Sequence, residues 1–600
     1  MRYLIPALLA SAALAGCAAP GARESGPTAA ANAAPVSVGI IAFNDFHGNI
    51  EPPRQAVPAP GAGGERVRVP AGGVAYLGSA IARLRAANPN NVVVAAGDMI
   101  GASPLSSAIF LDEPTILAMN LIGVDLNAVG NHEFDRGRAE LLRMQKGGCA
   151  KNTLREPCQL DPDFPGARFK FLAANVVTES GETLFPGYSI RSFGKGRGEV
   201  KIGFIGMTLK EAATMVTPAG VAGLSFRDEA ETVNALIPRL KAEGADAIVV
   251  LIHQGVSIKV PYDDKSCEGI DGDLLPILAR LDPAVDLVVS GHTHNAYICD
   301  YGRIDASRPF LVTSAGRYGT MLTDIRLTID PVAGRVVSKI ADPVIVQSES
   351  YVGASGPVEP TDLYPRFERE PKVAALVDRY VAASAPLASR MVGRLTGNAL
   401  RAKNESGEQV LGDLVADAHL AATRADGAGG ARIAFTNGSG VRADIVPGAD
   451  GAVTFGQIFA AQPFGNNLVV KSFTGRQIKA LLEQQFASGT NTVTDPNMLM
   501  PSAGFRYSYD LRRPAGQRIL EATLDGAPIE DGKTYRVAMN SFLASGGDNF
   551  TIFREGTDQI GGLQDIDALE AYLASVGQLV PPVADRIRNL DPKPPAVPED

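Results

Sequence analysis

Gly130-Asn131-His132-Glu133-Phe134-Asp135 follows Val124-Asp125-Leu126-Asn127-Ala128-Val129, an apolar run short enough to be one buried strand. The polar cluster therefore stands where a strand runs out into a loop. In an open α/β sheet that is the end at which ligands bind. Asn131 offers an amide oxygen of the kind hard cations accept. His132 and Asp135 stand three apart, so one helical turn after the strand puts them on one face. An Asp on one imidazole nitrogen sets the tautomer and leaves the other nitrogen for chemistry. An Asn-His pair at a strand end also fits a plain polar turn, so the rest of the chain has to decide.

Upstream, Val36–Phe43 reads as a first buried strand and runs into Asn44-Asp45-Phe46-His47-Gly48. Asp45 and His47, two apart, are expected to point the same way along an extended chain. The Pro- and Gly-rich stretch 51–73 predicts an irregular loop, and 74–87 a helix. Asn91–Ala96 is the next buried strand, ending in Gly97-Asp98, and 116–122 looks helical. Downstream, strands are expected at 169–175, 200–206, 247–252 and 286–290, with a helix at 229–243. Two of these strands end at His253 and at Gly291-His292-Thr293-His294. Further strands fall at 310–313 and 322–329. Strands alternating with helices predict an α/β fold whose sheets are covered by helices.

The chain has six histidines, and five of them (His47, His132, His253, His292 and His294) fall just past inferred strand ends. Asp45, Asp98 and Asn131 occupy equivalent places. Imidazole, carboxylate and amide oxygen without thiolate suit Zn, Mn, Fe or a similar divalent ion. With His132 held back for chemistry, the other seven groups exceed what one ion needs, and two ions sharing a bridging Asp would use them. Each histidine alone also fits a satisfied core or turn residue. The sixth, His419, lies in the helical pattern Gly412–Leu420 and reads as structural.

Six hundred residues imply more than one domain, and 45% apolar composition allows large cores. A net charge of −9 without a basic block argues against a nucleic-acid polymer as partner. Met1-Arg2 precedes an apolar run, Tyr3–Ala15, too short for a permanent span and shaped like a signal peptide. It closes on Leu14-Ala15-Gly16-Cys17, which resembles a bacterial lipobox and implies lipidation of Cys17. An ordinary secretory signal with a chance Cys is the alternative. Residues 18–35, rich in Ala, Gly and Pro, read as a flexible tether. Export permits disulfides. Four cysteines remain, and three pairings are possible. Cys149 and Cys158 bracket a short loop and are paired here, which leaves Cys267 with Cys299. A zinc site of four thiolates is the rival, though no Cys-x-x-Cys appears.

In order and context, Asn44–Gly48, Gly97-Asp98, Gly130–Asp135, His253 and Gly291–His294 resemble the metallophosphoesterases. The chain resembles the secreted bacterial 5′-nucleotidases and UDP-sugar hydrolases over residues 36–590. The resemblance implies a sandwich of sheets flanked by helices (36–345). A linker with a hinge helix (346–391) would join it to an α/β substrate-binding domain (392–590); the tail (591–600) is Pro-rich and reads as disordered. It implies two divalent metal ions (Zn, Mn, Co or Mg). One would be held by Asp45, His47, Asp98 and His294. The other would be held by Asp98, Asn131, His253 and His292, with Asp98 bridging. Some members carry Gln where His294 stands. His132 and Asp135 resemble the catalytic dyad.

In the second half, Thr436–Arg442, Gln462–Asn466 and Asn540–Asp548 resemble the family's nucleoside pocket. Ser439 stands where Gly is more usual. Phe464 and Phe542 would sandwich the base, Asp548 would accept from the ribose, and Asn437 and Arg442 would hold the substrate. Arg401 lies near the family's further substrate arginines, at a different spacing. The implied activity is hydrolysis of nucleoside 5′-monophosphates in the periplasm or cell envelope, with membrane contact only through Cys17. Activity on 2′,3′-cyclic nucleotides or UDP-sugars would use the same site. A protein phosphatase would leave the Phe pair without purpose, and a non-catalytic binding lipoprotein would not retain every ligand.

Overall fold

The computed structural model describes residues 34–591 except 154, 217–219 and 354–355. The signal peptide and lipobox, all but the end of the tether, and nearly all of the tail lie outside the described residues.

The first half is built on two six-stranded sheets packed face to face. In one, the strands Val36–Phe43, Asn91–Ala95, Leu126–Ala128 and Lys170–Leu172 run parallel, and Met321–Asp330 and Arg335–Ile345 add an antiparallel edge. In the other, Val200–Thr208, Ala247–His253, Leu287–Ser290 and Leu311–Ala315 are parallel, with antiparallel strands at both edges. Parallel strands covered on both faces read as continuous apolar runs, which is why these segments show no alternation. Val38, Ile40, Val92 and Val94 face Phe204, Val249, Leu251 and Val289 in the core between the sheets. The opposite faces pack under helices: Ile41, Phe43 and Val93 near Val74–Ala87, and Val250 and Ile252 under Glu229–Ala242. All the parallel strands of both sheets therefore bring their C-terminal ends to one edge of the sandwich.

The stretch 51–73 is not irregular. Gln55–Pro60 and Arg66–Ala71 form a hairpin. Val57, Ala59, Val69 and Ala71 alternate inward and are buried. The prolines are tolerated because each strand of an isolated ribbon has a free edge that needs no N–H. Both expected disulfides are present, Cys149–Cys158 and Cys267–Cys299.

A helix at Pro371–Ala388 lies against the helices Val74–Ala87, Leu105–Ala108 and Glu113–Ile122, and reaches Phe455–Ala461 of the second half. Arg379 and Tyr380 tie it to Asp161. The second half holds a five-stranded sheet around Ile433–Asn437, Thr534–Asn540 and Asn467–Thr474, with a four-stranded sheet beside it. His419 lies in the helix Val410–Thr423, buried, with both ring nitrogens unbonded. Burial pushes it down to about 4, so it is a neutral packing residue. Among the described residues no helix is long and apolar enough to cross a membrane.

Asp413, on the same helix, is fully buried and neither carboxyl oxygen has a hydrogen-bond partner. Arg586 is 3.9 Å away but is committed to Asp417, at 2.8 Å. Burial therefore dominates, opposed by Arg586 and reinforced by Glu408, and the carboxyl is pushed up to about 9. A folded-state value above the unfolded one means the folded state holds the proton more tightly. Stability from this group is complete below about pH 4 and is lost as pH rises towards 9. Asp413→Asn removes that loss, and its melting temperature should exceed the parent's by about 2–4 °C at pH 8. The gap should shrink at pH 5; scanning calorimetry at the two pH values reads it.

Candidate metal centre and active site

Seven polar side chains from five strand ends meet at that shared edge. Asp45, His47 and His294 form one group and Asp98, His253 and His292 a second, with the ligating atoms of each within 4.8 Å of one another. Asp98 Oδ2 lies 3.0 Å from His253 Nε2 and 3.6 Å from His47 Nε2, so this carboxylate faces both groups. Asn131 closes the cluster, its side-chain oxygen buried and unbonded.

Backbone carbonyls set the imidazoles. His47 Nδ1 donates to Gly101 O at 2.9 Å, and His253 Nδ1 donates to Ala96 O at 2.8 Å. Each histidine is thereby left with an Nε2 lone pair directed inward, as happens when a carbonyl holds the other ring nitrogen of a metal-ligating histidine. His253 Nε2 is buried and makes no hydrogen bond, although Asp98 is close. His47 Nε2 and His294 Nε2 stand 3.1 Å apart. Acceptors aimed at one another and not at donors fit a pair of cations. The mixture of imidazole, carboxylate and amide suits borderline divalent ions.

The expectation that Asp45 and His47 share one side of an extended strand is incorrect. Asp45, His47, Asp98, His292 and His294 all have positive φ, between 47° and 73°. Left-handed backbone costs roughly 1–3 kcal/mol at a non-glycine residue and persists where the surroundings over-determine it. These turns fold the chain back after each strand and aim consecutive side chains at one point.

The field inside is strong. Burial would raise the Asp45 carboxyl, but His294 and His253 outweigh it and hold it at about 2. Burial pushes His292 down to about 3, helped by His253. Burial also opposes charge on His253, yet Asp98 and Asp45 carry it up to about 10. A lone pair drawn to a proton by two carboxylates is equally drawn to a cation.

His132 begins a short 3₁₀ turn, His132–Phe134, and its Nδ1 meets Asp135 Oδ2 at 2.9 Å. Asp135 also accepts from the Ala102 N–H. The His132 backbone N–H donates to Asp98 Oδ1, which ties this turn to the facing carboxylate. Burial disfavours the His132 cation, but Asp135 and Asp98 together raise it.

In the second half, Phe464 stacks on His132, with centroids 5.7 Å apart and planes at 16°. Arg442 lies over Phe464 at 5.9 Å. A cavity of about 260 Å³ is lined by Asn131, His132, Asp135 and His292 from the first half. Asn437, Arg442, Phe464, Phe542 and Asp548 line it from the second. Arg401 is not among the residues lining it: its guanidinium donates to Arg442 O.

Three participants escape sequence reasoning. Glu133, adjacent to His132, accepts the N–H groups of Asp98, Met99 and Gly130 at 2.9, 2.8 and 2.6 Å. It thus clamps two ligand loops to each other. Asn44 donates to Asp45 Oδ2 and to Gly316 O. Tyr318, with φ 57°, sets its ring edge-on to His47 and His294. Gly316-Arg317-Tyr318-Gly319 after a strand was the available signal for Tyr318. Nothing local distinguishes Glu133 from a surface acid.

Residues 39–296 match the family calcineurin-like phosphoesterase, and residues 391–555 match the 5′-nucleotidase C-terminal domain. The chain belongs to the 5′-nucleotidase family of metallophosphoesterases. It is 26% identical over 630 residues to a probable 5′-nucleotidase of Treponema pallidum, covering 96% of this chain and 97% of that one. It is 28% identical over 544 residues to the endonuclease YhcR of Bacillus subtilis. That match takes in 90% of this chain but only 40% of the relative's length. The crystal structure of a 5′-nucleotidase precursor from Thermus thermophilus superposes with a TM-score of 0.71 at 25% identity. It covers 93% of this chain and all of that one.

Glu133→Ala should leave up to three buried N–H groups unbonded, at about 1–3 kcal/mol each. The melting temperature should fall. Affinity for Mn, measured by titration calorimetry, should fall about 10–100-fold, the usual consequence of losing a ligand's support.

Proposed function

We propose that this family member hydrolyses nucleoside 5′-monophosphates to nucleoside and phosphate outside the cytoplasm. The observation that carries the reading is a cavity shared by the two halves. The groups that suit a phosphate and the aromatic pair that suits a base line the same 260 Å³ space. Asp45, His47, Asp98 and His294 would hold one divalent ion, and Asp98, Asn131, His253 and His292 the other. Such a pair polarises phosphoryl oxygens and makes water nucleophilic at neutral pH.

The chain's own residues supply the rest. Asp135 holds His132 Nδ1, so Nε2 is the nitrogen free to stabilise charge on the transferring phosphoryl group or to protonate the leaving ribose oxygen. Arg442 adds positive charge at the cavity wall. Phe464 and Phe542 offer flat surfaces that take any base by stacking. Asn437 and Asp548 offer polar contacts to the sugar. Because one half holds phosphate and the other holds base, the two must separate to release product. We place the hinge at residues 372–392, around the end of the helix Pro371–Ala388. The two disulfides and the apolar N-terminus support export, with anchoring through Cys17.

Protein lacking residues 1–17, stripped of metal, should release no phosphate from AMP, and Mn, Zn, Co or Mg should restore release. Asp98→Ala should stay inactive with every metal. No release from AMP with any metal would overturn the reading, and a parallel panel with UDP-glucose and 2′,3′-cyclic AMP would identify the phosphoester used instead. His132→Ala should lower kcat about 10²–10⁴-fold with little change in KM. Phe542→Ala should act chiefly on KM, raising it about tenfold, as expected for loss of one stacking surface.

A further inference from the structure

Val469, Lys471 and Phe473 share one face of Asn467–Thr474, an inner strand of the five-stranded sheet. Val469 and Phe473 are buried in the apolar core of the second half. Lys471 lies between them and is only 5% exposed. No described carboxylate pairs with it, and burial pushes its ammonium below the usual lysine range. Its partners are two backbone carbonyls, Ala544 O at 3.0 Å and Phe553 O at 2.9 Å. A buried amine is costly unless bonded, so what these two bonds hold is the question.

The two carbonyls bracket a wall of the cavity. Ala544 ends the short helix Ser541–Ala544, which carries Phe542 and is capped at its start by Asn540. Phe553 lies in the 3₁₀ turn Thr551–Glu555. Between them the chain turns through Gly546, Asp548 and Asn549, with φ 84°, 52° and 63°. Phe542, Asp548 and Asn549 all line the cavity. The far part of the span has its own anchors: Ser488 Oγ donates to Asn549 O at 2.6 Å, and Asn491 Nδ2 to Asp548 O at 2.8 Å. The near part rests on Lys471, which bonds the end of the Phe542 helix to the sheet beneath. Arg554 donates to Ser545 O at 2.6 Å but belongs to the same span and cannot anchor it.

We propose that Lys471 is a positioning residue for substrate: it fixes the helix end behind Phe542 and so keeps that ring in its place in the cavity wall. The inference rests on the nucleotidase reading and adds to it a residue remote from the ligand. Because Asp548 and Asn549 keep their own ties, losing Lys471 acts on base stacking. Phosphoryl transfer is spared, since the metal-binding groups stand in the other half.

The test uses protein lacking residues 1–17, loaded with Mn. Lys471→Met keeps an unbranched stem beside Val469 and Phe473 but donates to neither carbonyl. KM for AMP should rise about tenfold, the loss expected for two hydrogen bonds from one group. Both kcat and Mn affinity should stay within about threefold of the parent. In a Phe542→Ala background the same substitution should raise KM less than about threefold, because no ring is left to place. The dissociation constant of adenosine for metal-free protein, by calorimetry, should rise with KM. Cys17 is absent from this form and the other four cysteines are paired, so Lys471→Cys supplies its one free thiol. Alkylation in urea with 2-bromoethylamine, then refolding, rebuilds an amine at lysine's length and should return KM to within about threefold of the parent. Iodoethane leaves the side chain without an amine, and KM should stay raised. This alkylated pair decides if the Met variant does not melt cooperatively. A Met variant with KM within about threefold of the parent overturns the inference. So does an equal rise in both backgrounds, a loss of kcat or Mn affinity as large as the rise in KM, or an amine that restores nothing. Absence of AMP turnover by the parent with any metal overturns the nucleotidase reading itself, so the two failures are distinguishable.

Discussion

Two carboxylates and four imidazoles share a volume from which water is largely excluded, and the rest of this structure serves that constraint. Asp45, His47, Asp98 and His253 are almost wholly buried. Isolated charges at such depth are costly unless paired or coordinated to a cation. Their approach is enforced from outside the cluster. The two parallel sheets deliver the strand ends, and the left-handed turns at Asp45, His47, Asp98, His292 and His294 aim the side chains. The backbone carbonyls of Gly101 and Ala96 orient two rings. Glu133 is the tie between loops, holding the strand ends at Asp98 and Gly130 in one frame. The backbone strain is local, and the packing that opposes it is spread over both sheets.

The second half answers a different constraint. On the proposed function, an apolar base and a charged phosphate call for different walls, and the two halves of the chain each line one side of the same cavity. Phe464 stacked on His132 is where those walls meet. The helix Pro371–Ala388 sets their separation by packing on both, and its tie to Asp161 anchors it to the metal-bearing half. Asp548 shows how finely such a wall is tuned. Its negative charge is shared among Ser439 and Asn437 before any ligand arrives.

The apolar strands of the first half were legible because parallel strands covered on both faces need no alternation. Val36–Phe43, Asn91–Ala95 and Ala247–His253 lie within a residue of their expected ends. The hairpin across 55–71 was not legible, because its prolines and glycines mark loops everywhere except on free edges. The gathering of histidines at strand ends was visible as a pattern. Glu133, Asn44 and Tyr318 were not, since each works through backbone atoms or rings supplied by residues far along the chain.

The sequence by itself determined which residues could take part: imidazoles, carboxylates and an amide at strand ends, an aromatic pair and a carboxylate further on. Side-chain chemistry and hydrophobic period are local properties, and both can be read one segment at a time. Only the tertiary structure decided how those groups share protons and space. It placed Asp98 between two clusters, bonded the Arg401 guanidinium to Arg442 O, and set the Ser439 hydroxyl on one oxygen of Asp548. Such facts depend on distances of a few tenths of an ångström between segments far apart in the chain, as Ser439 and Asp548 are. Backbone strain, burial and the competition among donors fix those distances, and none of the three is a property of one segment alone.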